Sequence, residues 1–509
     1  MQLNILSMEH ITKSYSERIL LDDVGFSLSE GEKVGVIGIN GMGKSTLLKL
    51  AAGIEMPDDG EVIMGKNIKI GYLPQTPAFR ESETVLGSVT KKTPKTPEEF
   101  ARESEAKAML STLGLTDFDK NVNELSGGQR KRTALVKVLL NPVDILILDE
   151  PTNHLDNQMS QWLEDRLIGY RGTLVMVTHD RYFLDRVVTR IVEVDKGKLY
   201  SYPGSYTRYL EQKGQRLDSE QASERKRRSI LKTELKWLAR GARARSTKQK
   251  AHVQRIEAMQ NVQAPVMDEK PVLSSMSQRM GKTTIEAENL SKSYGGKLLF
   301  QDYSHIFQKD ERVGIVGPNG CGKTTLLRII HGDVSPDHGT VKIGETVKIG
   351  YFAQEYSPMD DNMKAIEFVR EDAEYIQTKE GKITASAMME RFLFDSTMQW
   401  TRIEKLSGGE KRRLYLLRIL MDAPNVLILD EPTNDLDIPT LNVLEDYLDS
   451  FDGIVIVVSH DRYFLDRVVR RIFAFEEHGR IRQYEGGYSD YLAASAERVF
   501  RDTVSTLEG

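Results

Sequence analysis

Two glycine-rich stretches of the chain share an order of residue types that suits phosphate chemistry. They read GINGMGKST and GPNGCGKTT, lie 279 residues apart, and each follows a short apolar segment. In a loop of this pattern the glycines let successive backbone amides surround the β-phosphate of a nucleotide, a lysine reaches the outer phosphates and a hydroxyl ligates magnesium. ATP and Mg²⁺ are therefore the expected ligands. We assign the lysine role to Lys44 and Lys323 and the hydroxyl role to Ser45 and Thr324.

Other residues of the two loops are expected to bind ATP as well. In chain order they are Gly38, Asn40, Gly41, Gly43, Thr46, Gly317, Asn319, Gly320, Gly322 and Thr325. Cys321 lies inside the second loop, but Met42 occupies the matching position of the first. We therefore interpret the cysteine as filler and not as a redox site.

Two apolar segments further along, DILILDE and NVLILDE, each end in a pair of acids. A buried parallel strand would deliver Asp149 or Asp430 to the magnesium ion, and the next residue, Glu150 or Glu431, would orient and deprotonate the attacking water. The alternative is an acidic pair that only caps a helix. The phosphate loops upstream favour the catalytic interpretation.

A histidine ends another apolar segment in each part of the chain. His179 follows LVMVT, His460 follows VIVVS, and DRYFLD comes after both. A single histidine at such a place is usually structural, but its recurrence with the same neighbours favours a catalytic sensor of the γ-phosphate.

These motifs belong to an internal repeat, so the elements that position them must also occur twice. GYLPQ returns as GYFAQ at an offset of 279, and LSGGQRKR, ILILDEPTNHLD and VTHDRYFLDRVV return at an offset of 281. The segment between the glutamine and the signature is therefore two residues longer in the second copy than the Gln75–Ser126 segment of the first. Alternating apolar strands and helical segments predict an α/β fold for each copy.

Composition places the chain among soluble multidomain proteins. Its 509 residues are too many for one ordinary core, and 39% are hydrophobic and 28% charged. The apolar runs are far shorter than the roughly 20 residues that span a bilayer. The first residues lack an export signal, and one cysteine excludes an internal disulfide or a cysteine zinc site. We expect a cytoplasmic protein.

The ordered motifs resemble a known family. A phosphate loop, a glutamine after GYLP or GYFA, an LSGG signature, a strand that ends in Asp-Glu and a switch histidine are similar to the nucleotide-binding domain of ABC ATPases. Two such domains in one chain, with DEPTNHLD and HDRYFLD, resemble the ABC-F family. ELKWLARGARARSTKQKA and RIFAFEEHGRIRQYEGGYSDYL look most like its Uup branch.

The resemblance implies a head-to-tail sandwich of the two domains within a monomer, around two ATP molecules. It also implies that Gln75 and Gln354 join the magnesium shell, and that Tyr15 and Tyr294 stack on adenine, where the alternative is a plain surface tyrosine. Each signature would contact the ATP held by the other domain, because amides at a helix start offer a second cradle for the γ-phosphate. The signature residues are Ser126, Gly127, Gly128, Ser407, Gly408 and Gly409.

The predicted fold is therefore α/β, with two tandem ABC-type nucleotide-binding domains of the P-loop NTPase fold joined by an α-helical hairpin linker. We expect the first domain at residues 1–212, the linker at 213–282, the second domain at 283–495 and a short tail at 496–509. Family members of the Uup branch carry an arm inserted in the first domain and a basic C-terminal extension. Neither is expected here.

The linker is a basic island in an acidic protein. Residues 221–260 contain twelve basic and three acidic residues, while the whole chain has a net charge of -5. Such one-sided charge favours RNA binding over a solvated linker, and in the resembled family the linker reaches tRNA and ribosomal RNA. The expected RNA-binding residues are Arg240, Arg243, Arg245, Lys248 and Lys250.

We thus expect an ATPase that binds the ribosome through this linker and acts on translation. Three alternatives remain open at this point: an ATPase that acts on branched or damaged DNA, the ATPase subunit of a membrane transporter, and a binding module with vestigial sites. Complete motif sets in both copies disfavour the last of these.

Overall fold

The computed structural model describes residues 3–15, 18–80, 82–90, 96–219, 281, 283–354, 359–371, 373–378, 381–434 and 436–507. We call residues 3–219 the first half and residues 283–507 the second half. The five basic residues predicted to bind RNA, and the predicted hairpin around them, lie outside the described residues. The proposed domain boundaries remain predictions.

The first half contains nine strands and seven helices among its described residues. The strands are β1 (Asn4–Tyr15), β2 (Arg18–Ser29), β3 (Lys33–Gly38), β4 (Asp59–Met64), β5 (Ile70–Leu73), β6 (Ile145–Asp149), β7 (Thr173–Val177), β8 (Arg190–Asp195) and β9 (Lys198–Pro203). The helices are α1 (Lys44–Ala51), α2 (Val85–Thr90), α3 (Pro97–Thr112), α4 (Gly127–Leu139), α5 (Asn157–Ile168), α6 (Arg181–Val187) and α7 (206–219).

The second half repeats this order with one local change. Its strands are β10 (Ile285–Tyr294), β11 (Lys297–Phe307), β12 (Arg312–Val316), β13 (His338–Ile343), β14 (Ile349–Phe352), β15 (Tyr375–Thr378), β16 (Gly381–Thr384), β17 (Val426–Asp430), β18 (Ile454–Val458), β19 (Arg471–Phe475) and β20 (Ile481–Glu485). Its helices are α8 (Lys323–His331), α9 (Ala365–Arg370), α10 (Ala385–Arg391), α11 (Ser396–Gln399), α12 (Gly408–Met421), α13 (Ile438–Asp449), α14 (Arg462–Val468) and α15 (Tyr488–Leu507).

Each half is built on a six-stranded sheet and a three-stranded antiparallel sheet. The large sheets have the orders β5-β6-β7-β3-β8-β9 and β14-β17-β18-β12-β19-β20, parallel except for the last strand of each. Every residue of β6, β7, β17 and β18 is buried, as expected for parallel strands covered on both faces. These apolar runs therefore form the centre of each core. The α/β prediction is confirmed.

The order of the strands explains why the site residues meet. In the first half the phosphate loop follows β3, Asp149 ends β6 and His179 comes just after β7, and these three strands are neighbours. Because parallel strands point the same way, their carboxyl ends share one edge of the sheet, where ligands of such folds bind. The second half repeats the arrangement with β12, β17 and β18.

The interval between glutamine and signature folds differently in the two halves, although its length differs by only two residues. In the first half it contains the 16-residue helix α3, which begins with a capping box from Thr96 to Glu99 and with Pro97 at its first turn. In the second half it contains the antiparallel pair β15–β16, in which Thr378 lies opposite Gly381, and α10 and α11 follow. Length alone does not reveal this change.

No helix within the described residues has both the length and the apolar character that crossing a membrane requires.

Candidate active sites

The first phosphate loop wraps around the amino group of its lysine. Gly38, Gly41 and Gly43 have φ values of 144°, 79° and 98°, which favour glycine and turn the loop tightly between β3 and α1. Lys44 Nζ donates to the carbonyl oxygen of Gly38 at 2.7 Å and to Asn40 Oδ1 at 2.9 Å. Burial lowers the pKa of Lys44, against the nearby negative charges of the site. A triphosphate bound in this loop would face a positive charge shielded from water.

The second phosphate loop has the same architecture. Gly317, Gly320 and Gly322 have φ values of 156°, 75° and 114°, and Lys323 Nζ donates to the carbonyl oxygen of Gly317 at 2.8 Å. Cys321 is half-buried, and burial raises the pKa of its thiol. A protonated thiol is a poor nucleophile, which supports the interpretation of this cysteine as filler.

Asp149 and Asp430 have the surroundings of a magnesium ligand. Burial raises the pKa of both carboxyls, against hydrogen bonds from Ser45 and Thr324 respectively. One oxygen of each, Oδ1, is buried without a hydrogen-bond partner. Within the described chain no three His, Cys, Asp or Glu side chains cluster as a metal cage. One carboxylate, one hydroxyl and the phosphates of ATP are a donor set that Mg²⁺ accepts, so the residues fit the ion.

The two glutamines follow strands that neighbour those of Asp149 and Asp430. Gln75 and Gln354 follow β5 and β14, the strands beside β6 and β17, and both residues are exposed. The carbonyl oxygen of Gln75 accepts from Lys131 Nζ at 2.8 Å, and Lys131 also donates to the carbonyl oxygen of Asp149 at 2.8 Å. Their role at magnesium remains a prediction.

Each glutamate that follows the aspartate is buried against the switch histidine. Glu150 Oε1 lies 3.2 Å from His179 Nε2, and Glu431 Oε1 lies 3.1 Å from His460 Nε2. Glu150 and Glu431 have φ values of 52° and 50°, a costly backbone for a residue with a side chain. The backbone N–H of Glu150 donates to the carbonyl oxygen of Val177 at 2.8 Å, and that of Glu431 donates to Val458 at the same distance. These hydrogen bonds hold the strained backbone in place. The same strained backbone therefore recurs at equivalent positions of the two halves, and the catalytic role of these glutamates stays a prediction.

The ionisation of the two glutamates differs. Burial opposes a charge on Glu150, but the charge and hydrogen bond of His179 and the positive Lys44 outweigh it and lower the pKa of Glu150 to about 2. At Glu431 burial prevails over the charge of Lys323 and raises the pKa to about 7. Burial and Lys323 lower the pKa of His460 to about 3. At neutral pH Glu150 is therefore ionised, whereas Glu431 is close to the midpoint of its titration.

The second half completes the first phosphate loop. Asp437, the N-cap of α13, accepts from the backbone N–H of Asn40 at 2.6 Å across the interface. Signature residues lie against the same loop: a Cβ added at Gly41 would stand 3.2 Å from Ser407 Oγ, and one at Gly409 would stand 2.4 Å from Asn40 Nδ2. The glycines therefore permit an approach that any side chain would block.

The first half contacts the second phosphate loop at longer distances. The backbone N–H of Asn319 donates to Asp156 Oδ2 at 3.4 Å, and its Nδ2 donates to the carbonyl oxygen of His154 at 3.3 Å. A Cβ added at Gly320 would meet nothing within 4 Å, and one at Gly128 would meet only His154 of its own half. Gly127 and Gly408 both face open space. The head-to-tail arrangement is present on both sides but is closer on one.

The side chain of Asn153 connects the first site to the loop that follows Glu431 in the second half. Asn153 donates through Nδ2 to Glu150 Oε2 and, at 3.1 Å, to the carbonyl oxygen of Asn434 in the other half. The first general-base candidate is therefore connected to the interface. The residue that distinguishes the two copies of this loop, Asp435 in place of His154, lies outside the described residues.

Tyr15 and Tyr294 stand at the ends of β1 and β10. They are 45% and 52% exposed, so their rings are accessible to a base. The hydroxyl of Tyr15 donates to Glu55, which also accepts from Lys49 Nζ at 2.9 Å. Stacking on adenine remains a prediction for both.

Several interface residues were not singled out from the sequence. Asp156 and Asp437 follow EPTN in both copies and cap the next helix, so the repeated final aspartate of EPTNHLD and EPTNDLD was the available signal. No sequence signal marked the ion pair between Arg18 and Glu410, because it joins residues 392 positions apart.

Comparison with known proteins supports this organisation. A family model described as "ABC transporter" matches residues 21–153 and 300–434, and a second model with the same description matches residues 192–275. The ATP-binding protein YfmR of Bacillus subtilis (strain 168), described as an uncharacterized ABC transporter protein, is 47% identical over 97% of this chain and 84% of its own length. The energy-dependent translational throttle protein EttA of Escherichia coli (strain K12) is 38% identical over 93% of this chain and 92% of its own.

Solved structures share the fold at low sequence identity. An archaeal ribosome recycling factor, aABCE1, in complex with the stalk protein aP1, matches with a TM-score of 0.63 and 21% identity over 95% of this chain and 92% of its own. A structure described as RNase-L Inhibitor matches with a TM-score of 0.62 and 19% identity over 96% of this chain and 93% of its own. Both support the tandem arrangement.

Proposed function

The chain belongs to the ABC-F family of ATPases with two nucleotide-binding domains, and we propose that it uses ATP-driven closure of these domains to act on the ribosome during translation. Placement in the Uup branch stays a prediction, since the relatives named above are YfmR and EttA proteins. The observation that supports the closure mechanism most directly is the contact of Asp437 and Ser407 with the first phosphate loop.

Two composite sites would bind ATP in this mechanism. Each phosphate loop binds the phosphates from one side and the signature of the other half covers them, so that ATP holds the halves together and hydrolysis lets them separate. Asp149 with Ser45, and Asp430 with Thr324, would hold Mg²⁺, which supplies charge stabilisation to the phosphates. Gln75 and Gln354 are proposed as further ligands.

The protein's own groups would activate the water. Glu150 and Glu431 accept the proton, and His179 and His460 orient the glutamate and sense the γ-phosphate. Glu150, His179 and Glu431 are buried and His460 is only partly exposed, so bulk water has little access to either carboxylate. Tyr15 and Tyr294 would stack on the adenine rings.

The ribosome is proposed as the partner for two reasons. EttA, which matches nearly the full chain, is described as a translational throttle protein. In addition, residues 221–260 carry twelve basic residues against three acidic ones, which suits the phosphates of rRNA and tRNA. We propose a cytoplasmic monomer in which Arg240, Arg243, Arg245, Lys248 and Lys250 contact RNA.

Ribosome binding by a linker variant tests this proposal. Replacing the five basic residues by Ala should weaken binding and reduce the slope of log affinity against log salt by roughly 0.7 to 0.9 for each phosphate that the linker no longer binds. Co-sedimentation at several salt concentrations measures both quantities. The matched control replaces Lys66, Arg80, Arg171, Lys196 and Arg480, basic residues of the two halves, and should leave the slope unchanged.

Two results would contradict the proposal. An unchanged slope in the five-residue linker variant would mean that the strip is only a solvated turn. Tighter binding to branched DNA than to ribosomes in a competition at matched salt would favour the DNA-directed alternative.

A further inference from the structure

The two composite sites differ in one ion pair. At the start of β2, Arg18 donates through Nη1 to Glu410 Oε1 of the second half at 3.2 Å. The Arg18 side chain is 43% exposed, whereas that of Glu410 is only 1% exposed. Arg18 Nη2 also lies 3.6 Å from Sδ of Met42 in the phosphate loop. The pair therefore crosses the interface next to the first loop.

Glu410 is also part of the signature itself. Its Oε2 accepts from the backbone N–H of Ser407 at 2.8 Å, and Ser407 Oγ accepts from the backbone N–H of Glu410 at 3.3 Å, which forms the capping box of α12. A Cβ added at Gly41 would stand 3.0 Å from Glu410 Oε1. Arg18 thus binds the residue that fixes the start of the signature helix.

The second composite site cannot form this pair. Lys297 occupies the place of Arg18 and Gln129 the place of Glu410. Gln129 Oε1 accepts from the backbone N–H of Ser126 at 3.0 Å, which keeps the capping box without a charge. Lys297 Nζ donates at 3.4 Å to the carbonyl oxygen of Gly320, in its own half. The two composite sites therefore differ in the types of residue at these positions and not only in the distances between them.

A second contact shows the same asymmetry. Asp437, which binds the first phosphate loop, lies 3.7 Å from buried Arg413, and that charge helps to keep the pKa of Asp437 low against its burial. The equivalent Arg132 donates instead to the carbonyl oxygen of Leu113 at 2.7 Å. Asp156 binds the second loop at 3.4 Å, compared with 2.6 Å for Asp437 at the first.

We propose that Arg18 and Glu410 form a latch that belongs to the first composite site alone, so that this site opens later than the second after both have closed on ATP. Opening the first site breaks a charged hydrogen bond whose carboxylate is shielded from water in the closed state, and such a bond is stronger than a neutral one. The second site has no such bond to break, because Gln129 is neutral and Lys297 donates within its own half. Arg18 is a positioning residue here, because it acts on ATP through Glu410. The inference concerns the ATP sites and does not depend on ribosome binding.

The experiment measures ATP release in the non-hydrolysing chain that carries Glu150→Gln and Glu431→Gln. A fluorescent ATP analogue is bound at both sites and then chased with excess unlabelled ATP. We expect two dissociation phases. Arg18→Gln should accelerate the slower phase about 3- to 10-fold, the range for removal of a partly shielded charged hydrogen bond. The matched control Lys297→Gln should change neither phase.

A transplanted latch provides the converse test. Lys297→Arg together with Gln129→Glu should slow the faster phase, because glutamate preserves the capping box of α4 and adds the missing charge. Thermal unfolding of each variant controls for loss of the fold. The proposal is overturned if Arg18→Gln alters neither phase, if it alters both phases equally, or if Arg18→Gln and Lys297→Gln have the same effect. A transplant that leaves the faster phase unchanged would also overturn it.

Discussion

At the scale of single residues, the interface between the halves contains charges that are not balanced symmetrically. Arg181 is 1% exposed and donates to Glu445 at 2.5 Å and to Asp461 at 3.3 Å, both in the second half. Its equivalent, Arg462, is less buried and donates to Gln161 Oε1 at 3.1 Å. Asp461 therefore has a buried guanidinium beside it. Asp180, the matching carboxyl of the first half, has no such ion pair within the described part of the chain and accepts a backbone N–H from Phe183 at 2.9 Å.

This imbalance predicts a pH dependence. Burial and the charge of Asp461, opposed by the backbone N–H of Phe183 and by Arg462, raise the pKa of Asp180 well above its usual 3.8. A carboxyl whose pKa is raised on folding stabilises the protein below its unfolded pKa, and that contribution is lost as the pH rises through its folded pKa. Asp180→Asn should therefore raise the melting temperature at pH 8, on the order of 2 to 4 °C. At pH 5 the increase should be clearly smaller, because the penalty for Asp180 grows as the pH rises from its unfolded pKa to its folded pKa. Calorimetry at both values measures the difference.

Asp461→Asn is the matched control for this prediction. Because Asp461 is paired with Arg181, its removal should destabilise the protein at both pH values. Equal shifts of Asp180→Asn at pH 5 and pH 8 would show that Asp180 is not protonated in the folded state. Arg181, Arg462, Glu164 and Glu445 are the other charged groups that face this pair, and they are unchanged in both variants.

At the scale of elements, the helix α7 connects the first half to the linker and also contacts the second half. Tyr206 and Tyr209 are buried at its start, and Lys213 and Arg216 bind the buried Glu193 of β8. The rings of Tyr206 and Tyr463 are 6.5 Å apart, edge to face. The guanidinium of Arg181 lies 4.5 Å from the Tyr463 ring. The root of the linker therefore touches the interface that ATP is expected to close.

We expect Tyr463 to transmit closure to the linker. Tyr463→Ala should reduce the effect of ATP on tryptic cleavage within residues 213–282 by at least about half, since it removes the aromatic and cation–π contacts at the root of α7. ATP hydrolysis should be retained, because no part of either site is changed. Gel analysis of cleavage with and without ATP provides the measurement.

Tyr182→Ala is the control for this element. Tyr182 is the counterpart of Tyr463 and lies 4.8 Å from the guanidinium of Arg462, next to α15 and not α7. It should leave the ATP effect on the linker intact. The same reduction in both variants would mean that the substitutions weaken the interface in general and that α7 has no special part.

At the scale of the whole molecule, the halves form one sandwich with contacts at both composite sites and at the centre. Under the proposed mechanism, ATP would hold a single chain closed without a second subunit. Replacing both Glu150 and Glu431 by Gln should reduce ATP turnover about 100-fold or more, because a general base contributes on the order of 10²–10⁴. ATP binding should persist, and ribosome association should become ATP-dependent and long-lived. Phosphate release and co-sedimentation measure the two effects.

The single variants control for this prediction. If both sites act, Glu150→Gln and Glu431→Gln should each leave partial turnover. Turnover close to that of the unchanged protein in the double variant would contradict the role assigned to the two glutamates. Loss of ATP binding in the double variant would instead place them in nucleotide recognition.

The sequence by itself determined the repeat, the α/β fold, the family and the ATPase activity, which the comparisons confirm. These conclusions depend on short contiguous motifs, such as the phosphate loops and the strands that end in Asp-Glu. The physical requirements of such motifs are local: a tight glycine turn, a buried strand and a carboxylate at its end. Because each of these requirements is met by a few consecutive residues, the motifs can be recognised from the sequence without a structure.

The tertiary structure alone decided which residues pair across the interface between the sites. The pair Arg18–Glu410 joins residues 392 positions apart, and the cluster of Arg181 with Glu445 joins residues 264 apart. The sequence does not indicate the partner of Arg18 or of Arg181, because the packing of the two halves determines which residues meet. The left-handed backbone at Glu150 and Glu431 was equally hidden, since glutamate has no preference for it and surrounding contacts impose it. Residues that act across the interface become visible only when the two halves are placed together.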